Sequence, residues 1–572
     1  MYNSATIPFK FLLSVVLIFH FLFCHAMEFA DIQWSPNSWG GAKFSAYITE
    51  TCARNGIKGY YFQVDGRGNG DVEIALPRVL EPSKSYQFSV WLKAAKRTPA
   101  VDVFFRRDAA YYETTAIRTV TSSSTWTLVN MRGIYTLPSV GSVRLALRLV
   151  DSAVCISGAQ IDEISPYTVG TPAQTKPVNA RFFGTHLNQL GRHMAWPIFN
   201  PGTIRLWDTG TTWADLQPER GPINWMGPHA RRLELFVRHV QRHSPAGDLL
   251  LTLGMTPTWA GSRHPKRCNN SSYGPSTCTA PLNMEDWRAY VREIARRFSG
   301  RIKYWEVWNE ADIWVHWDDT PVKMVELVRV AYEELKAADP GNVVIGPNIT
   351  VNGLRFLNNF LEAGGGKYVD GISVHAYFFR NPVRAMGSLR NVREILMAKG
   401  LSLPIWNTET GVGCDATESQ CTTPPNILPA SMALAQSMVG SAALGSENFG
   451  YYTWEGAGAE GLVAADFSTP TLQGLAYARI RRWIDGATLS YLPDPVAGVT
   501  LIQVLRNGAR AYVAWASIDG TAVASNSFAG ATRCQSLSVR SDYPLSQNQV
   551  LIGVEPMICM DDRFVFEDRW AQ

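Results

Sequence analysis

From about Phe29 to Ile164, apolar and polar positions alternate with a period of two. In Tyr86 to Leu92 and again in Val143 to Leu149, every second side chain is apolar. This is the pattern of strands with one buried face. Several such runs separated by turn residues predict a β-sandwich. The stretch from Ser165 to Pro177 is rich in Pro, Thr and Gly and reads as a linker.

From Val178 to about Asp485 the period changes, and short apolar runs alternate with helical segments. The runs begin at Arg181, Thr203, Leu249, Ile302, Val343, Gly371, Pro404 and Phe449. Between them, Leu233, Phe236, Val237 and Val240 recur at helical spacing, as do Trp287, Tyr290, Val291 and Ile294, and Met324, Leu327, Val328 and Ala331. Eight strand-then-helix units predict an α/β fold, a (β/α)8 TIM barrel. An open dinucleotide-binding sheet is disfavoured because no Gly-rich fingerprint follows the first strand. After Asp485 period two returns, and Asn507-Gly508 between apolar runs predicts a hairpin.

The 13 residues from Phe11 to Phe23 form an apolar run behind Lys10, too short to span a bilayer of about 30 Å. The expected organisation is a signal peptide over 1–26, a β-sandwich over 27–164, a linker over 165–177, the barrel over 178–485 and a small β domain over 486–572. Without Cys24, eight cysteines remain. An even number suits an oxidising, secreted or periplasmic setting. Expected pairs are Cys52 with Cys155, Cys268 with Cys278, Cys414 with Cys421, and Cys534 with Cys559. Zinc is disfavoured, since no C-x-x-C pair occurs. The 53 basic and 49 acidic residues are spread without long runs, giving a net charge of +4 and no electrostatic footprint for nucleic acid. Stable membrane insertion is not expected either, and nothing in the sequence sets an oligomeric state.

In a barrel of this kind reactive residues lie at the C-terminal ends of strands. Those ends carry His186, Arg205 with Trp207, Met255-Thr256, Asn309-Glu310, Asn348, His375 with Tyr377, Glu409, and Trp454-Glu455. Two carboxylates on separate strands, ringed by aromatic and hydrogen-bonding groups, are what glycoside hydrolysis requires. The segment Tyr304-Trp305-Glu306-Val307-Trp308-Asn309-Glu310 resembles the fourth-strand Asn-Glu motif of clan A retaining glycosidases. Ile405-Trp406-Asn407-Thr408-Glu409-Thr410-Gly411 resembles their seventh-strand nucleophile motif. Within that clan the chain most resembles glycoside hydrolase family 39, including its β-xylosidase, α-L-iduronidase and bacterial exopolysaccharide-operon branches, over about Val178 to Asp485.

The resemblance implies Glu310 as acid/base and Glu409 as nucleophile, with no metal and no organic cofactor. It also implies that Asn309 bonds the sugar 2-hydroxyl and that Arg205 and Tyr377 hold Glu409 ionised. Burial against Trp308 and repulsion from Glu409 are expected to raise the Glu310 pKa. His186, His375, Trp454, Trp259 and Trp314 are the further substrate-binding candidates, and Trp207, Trp213 and Trp317 lie in similar positions. Glu306 reads as part of a structural ion pair, and Glu455 is the rival nucleophile. The N-terminal domain resembles carbohydrate-binding modules, with Tyr60, Tyr61, Tyr111 and Tyr112 as stacking candidates against a competing role in its core; a structural calcium there is also considered. Asn269, Asn270 and Asn348 stand in N-x-Ser/Thr patterns. The leading expectation is an endo-acting enzyme on a polysaccharide. The alternatives are an exo-acting β-glycosidase such as a β-xylosidase, or a non-catalytic glycan-binding protein.

Overall fold

The computed structural model describes residues 34–566 apart from 40–41, 76–84, 97–99, 109–112, 135–141, 165–175, 192–195, 245–246, 262–272, 379, 414–427, 457–460, 493–494, 497, 518, 540 and 547. The expected signal peptide and most of the linker therefore lie outside the described residues. So do Cys268, Cys414, Cys421, Tyr111, Tyr112, Asn269 and Asn270.

The N-terminal region is one eight-stranded antiparallel sheet doubled back on itself. Two long strands, Ile57–Ala75 and Ser142–Ile164, run through both layers. Their pairing slips between Val64 and Asn69, and the two halves of Ser142–Ile164 then pair with different neighbours, Ala100–Asp108 and Ser85–Lys96. The layers share one core, in which Phe62, Val72, Phe88, Val103, Leu147 and Val154 are fully buried. A disulfide joins Cys52 to Cys155 across this sheet. The sandwich also meets the barrel. Phe104 and Ala146 belong to the barrel's apolar cluster, and Arg355 pairs with Asp102 at 3.3 Å.

The eight expected parallel strands close into a barrel: Phe183–His186, Thr203–Leu206, Asp248–Leu253, Tyr304–Val307, Val343–Thr350, Gly371–His375, Ile405–Thr410 and Ser446–Tyr451. They are buried on both faces, which is why they read as apolar runs rather than as alternation. The helices place their predicted stripes inward, with Leu233, Phe236, Trp287, Ile294, Met324 and Leu327 fully buried. The helix Pro321–Ala338 starts where Thr320 accepts from the Lys323 amide and Pro321 supplies a preset φ.

The C-terminal sheet of six strands follows, with Asn507 (φ 50°) and Gly508 (φ 78°) at the hairpin turn as expected. A second disulfide links Cys534 and Cys559, which face each other in paired strands. Cys278 is also disulfide-bonded. Among the described residues no helix is long and apolar enough to cross a membrane.

Candidate active site

The strand ends converge on a buried polar network whose hub is Arg205, only 1% exposed. Its guanidinium donates to Glu306 Oε2 at 2.7 Å, to Glu409 Oε2 at 2.8 Å and to Asn309 Oδ1 at 2.7 Å. Glu306 is fully buried and accepts further bonds from Thr252, Thr408 and Asn348 at 2.9, 2.7 and 3.1 Å. It is the structural ion pair expected of it, and Arg205 above all holds its carboxyl below the ordinary range against the upward pull of burial. Asn348 turns its Oδ1 to the Glu310 amide at 2.8 Å. It is fully buried, so it belongs to this network and is not an exposed glycan acceptor.

Glu310 and Glu409 both approach the Nδ1 edge of His375. One ligating atom from each of the three lies within 4.8 Å of the other two. His375 Nδ1 is 2.8 Å from Glu310 Oε1 and 3.7 Å from Glu409 Oε1. Tyr377 donates to Glu409 Oε1 at 2.8 Å. This trio has a metal-binding composition, but Arg205, Tyr377 and the histidines already engage its carboxylates. Gly411, two residues past Glu409, is required by close approach: a Cβ there would stand 2.9 Å from the Tyr452 carbonyl and 3.5 Å from the Tyr377 ring. Trp308 (φ 69°) and Glu310 (φ 42°) flank Asn309 in the left-handed region. Such strain, of order 1–3 kcal/mol per residue, persists only where neighbours over-determine the backbone. Here Leu253 and Asn348 do so through main-chain bonds to Trp308 and Ala311 at 2.8 and 2.9 Å.

Both directions expected for the pair are corrected: Glu310 does not move up, and Arg205 and Tyr377 do not hold Glu409 below its ordinary value. Burial raises the Glu310 carboxyl; hydrogen bonds from His316 and His375 outweigh it when both imidazoles donate, and the net direction is then downward. Glu409 moves upward, because burial exceeds the opposing pull of His375 and Arg205 while Glu310 adds to the rise. The expectation from sequence weighed Trp308 and Glu409 and had no His316 in it. That residue lies 3.2 Å from Glu310 Oε2 through its Nδ1.

The aromatic residues also divide differently from expectation. Trp454 is 2% exposed and packs edge-on against Phe199 in the apolar cluster, so it offers no open ring to the cleft. The ring at the end of the eighth strand that opens there is Tyr452, which donates to Asp208 Oδ2 at 2.7 Å and meets His186 edge-on at 4.9 Å. Tyr273 donates to the other Asp208 oxygen at 3.3 Å and also accepts from Trp207 Nε1 at 3.3 Å. Trp259 is held apart from the carboxylates, with Trp213 against it and Arg220 over its ring at 4.6 Å. Trp213 and Trp317 are core residues, whereas Trp314 is 44% exposed in the loop after the fourth strand. His186 is fully buried and donates to the Thr408 carbonyl at 3.1 Å; burial holds its pKa well below the ordinary value. It supports the seventh strand from beneath. Glu455 accepts from the amides of Asn188 and Gln189, away from the Glu310–Glu409 pair. Tyr60 is a core residue of the sandwich, while Tyr61 stacks on the exposed Tyr47 at 5.1 Å. His316, Asp208, Tyr273 and Tyr452 were not predicted. Asp208 and Tyr452, at the ends of the second and eighth apolar runs, carry a positional signal; His316 and Tyr273 carry none.

No family model and no curated protein sequence matches the chain. Among solved structures it is similar to a family 39 glycoside hydrolase from the gut symbiont Bacteroides cellulosilyticus WH2, with TM-score 0.51 and 16% identity over 85% of this chain and 99% of that one. It is also similar to a family 39 β-xylosidase from Caulobacter crescentus, with TM-score 0.46 and 17% identity over 63% of this chain and 89% of that one. A third is the catalytic domain of a family 30 xylanase C from Talaromyces cellulolyticus, with TM-score 0.43 and 13% identity over 63% and 86%. At these identities the likeness is one of fold.

Proposed function

We propose that this chain is a retaining glycoside hydrolase acting on a polysaccharide or oligosaccharide by double displacement, with Glu310 as acid/base and Glu409 as nucleophile. The observation that carries the reading is the separation of the two carboxylates, whose nearest approach is within 4.8 Å at the mouth of the barrel. Retaining enzymes hold the pair about 5–5.5 Å apart, whereas inverting ones leave about 6.5–9.5 Å for a water. In the first step Glu409 attacks the anomeric carbon as the Glu310 proton passes to the departing oxygen. In the second, Glu310 takes a proton from water, which releases the sugar from Glu409. Arg205 and Tyr377 orient the nucleophile, and Asn309, fixed by Arg205, presents its NH2 to the sugar 2-hydroxyl. A non-catalytic glycan-binding role gives no reason for two strained residues to aim Glu310 at Glu409. The two described disulfides support a secreted or periplasmic location.

The sequence favours internal cleavage of a polymer, and the exposed Trp314 supports it. One observation favours the exo-acting reading. The Tyr452–Asp208 bond joins the ends of the eighth and second strands across the first, which is the shape of a wall closing one end of a cleft. Product sizes from a panel of polysaccharides separate the two. For the catalytic reading itself, Glu310→Gln and Glu409→Gln should each lose about 10²-fold or more in turnover while folding and glycan binding persist. Near-normal hydrolysis by either variant would overturn the assignment.

A further inference from the structure

We propose that His316 is a positioning residue for the acid step: a neutral imidazole whose Nδ1 lone pair accepts the Glu310 proton and holds it at Oε2 until the departing oxygen takes it. The proposal rests on the reading of Glu310 as the acid/base and adds a residue to it.

Arg205 has only N–H groups, so the Asn309 atom that it meets at 2.7 Å must be the carbonyl oxygen. The other end of that amide is therefore NH2, and it faces His316 Nδ1 at 3.5 Å. His316 Nδ1 thus has an obligatory donor on one side, and on the other, at 3.2 Å, Glu310 Oε2. An Nδ1–H would point at that amide donor or compete with it. A lone pair accepts from both sides, provided that Glu310 carries a proton on Oε2.

The second imidazole completes the count. His375 Nε2 is buried with no partner among the described residues, whereas its Nδ1 lies 2.8 Å from Glu310 Oε1. Placing the His375 proton on Nδ1 leaves no orphan N–H and gives Oε1 a donor. Glu310 then accepts at one oxygen and donates at the other, and no contact pairs two donors. His316 is itself held. Its carbonyl accepts from Trp308 Nε1 at 2.8 Å, its amide donates to Ile313 at 3.1 Å, and its ring meets Tyr273 at 5.3 Å and Trp207 at 6.0 Å. At 7% exposure it is screened from bulk water. In the reaction the Oε2 proton passes to the glycosidic oxygen as its bond to the anomeric carbon breaks, leaving Glu310 as a carboxylate for the second step.

The test uses leaving groups. On whichever sugar wild-type protein hydrolyses among the 2,4-dinitrophenyl glycosides of xylose, glucose, galactose and mannose, that glycoside is compared with the phenyl glycoside of the same sugar. Dinitrophenolate departs without a proton and phenolate needs one. His316→Ala should cut kcat/KM for the phenyl glycoside by about 10-fold or more and leave the dinitrophenyl glycoside within about 3-fold. His316→Asn, whose Oδ1 can stand near the lost Nδ1, should restore part of the difference. Equal losses on both substrates would make His316 merely structural and overturn the proposal, as would no loss on either or an Asn variant as poor as Ala. Hydrolysis of neither glycoside by wild-type protein, nor of any polysaccharide, would instead refute the underlying glycosidase reading.

Discussion

Glu306 offers the most searching test of the network beneath the catalytic pair. Its Oε2 faces Arg205 and Thr252, and its Oε1 faces Asn348 and Thr408. The hydroxyls can reverse their role, but Arg205 cannot. Nor can the Asn348 NH2, because the oxygen of that amide accepts from the Glu310 amide. In Glu306→Gln the new NH2 must therefore meet a donor on whichever side it is placed. Arg205, at 1% exposure, would keep only Glu409 as a full counter-charge. Removing one partner of a buried ion pair costs about 3–5 kcal/mol. Retention of one amide oxygen against Arg205 places this variant near the low end, about 3 kcal/mol. With a urea dependence of about 3 kcal/mol/M, the barrel's unfolding midpoint should fall by roughly 1 M, followed by Trp fluorescence. Turnover should fall with it, because Asn348 also positions the Glu310 amide. An unchanged midpoint together with undiminished kcat would refute the reasoning that Glu306 organises the site.

Two further outcomes follow from the cleft and its rim. Asp208→Asn keeps the shape of the Tyr452 and Tyr273 contacts but loses the charge, and should raise KM for glycosides about 10-fold through weaker charge-assisted bonds to sugar hydroxyls; values within 2-fold on every substrate would remove Asp208 from the subsite. Burial raises Glu455 to about 7 despite the amides that it accepts from. The folded state therefore binds more protons than the unfolded state between the ordinary carboxylate range and about 7, and this carboxyl lowers stability as pH rises through that window. Glu455→Gln should gain stability relative to wild type on going from pH 5 to pH 7.5 in thermal unfolding, and parallel profiles would contradict the assignment.

The barrel was legible because its strands are buried on both faces and its helices carry one apolar stripe, so both periods survive in the sequence. Glu310, Glu409 and Arg205 were legible because strand ends in such a barrel share one mouth. The doubled sandwich sheet was not. The strand slips register between Val64 and Asn69, within the Gly-rich stretch Asp65-Gly66-Arg67-Gly68-Asn69-Gly70, which reads as a turn between two strands rather than as one strand continuing through. The Trp candidates misled for a related reason: a ring next to a strand end packs under the loops as readily as over the cleft, and Trp213, Trp287, Trp305, Trp308 and Trp483 are all fully buried. At the eighth strand a single residue, Thr453, separates the buried Trp454 from the more open Tyr452, and only the backbone path decides between them. His316 and Tyr273 come from loops, where no period fixes direction, and their roles depend on partners distant in sequence.

The central claim is that two carboxylates this close work through a covalent sugar ester on Glu409. The direct measurement is the anomeric configuration of the first-formed product, followed by proton NMR before mutarotation. Double displacement predicts the configuration of the substrate; an inverted product would contradict the nucleophilic role of Glu409 and the account built on it.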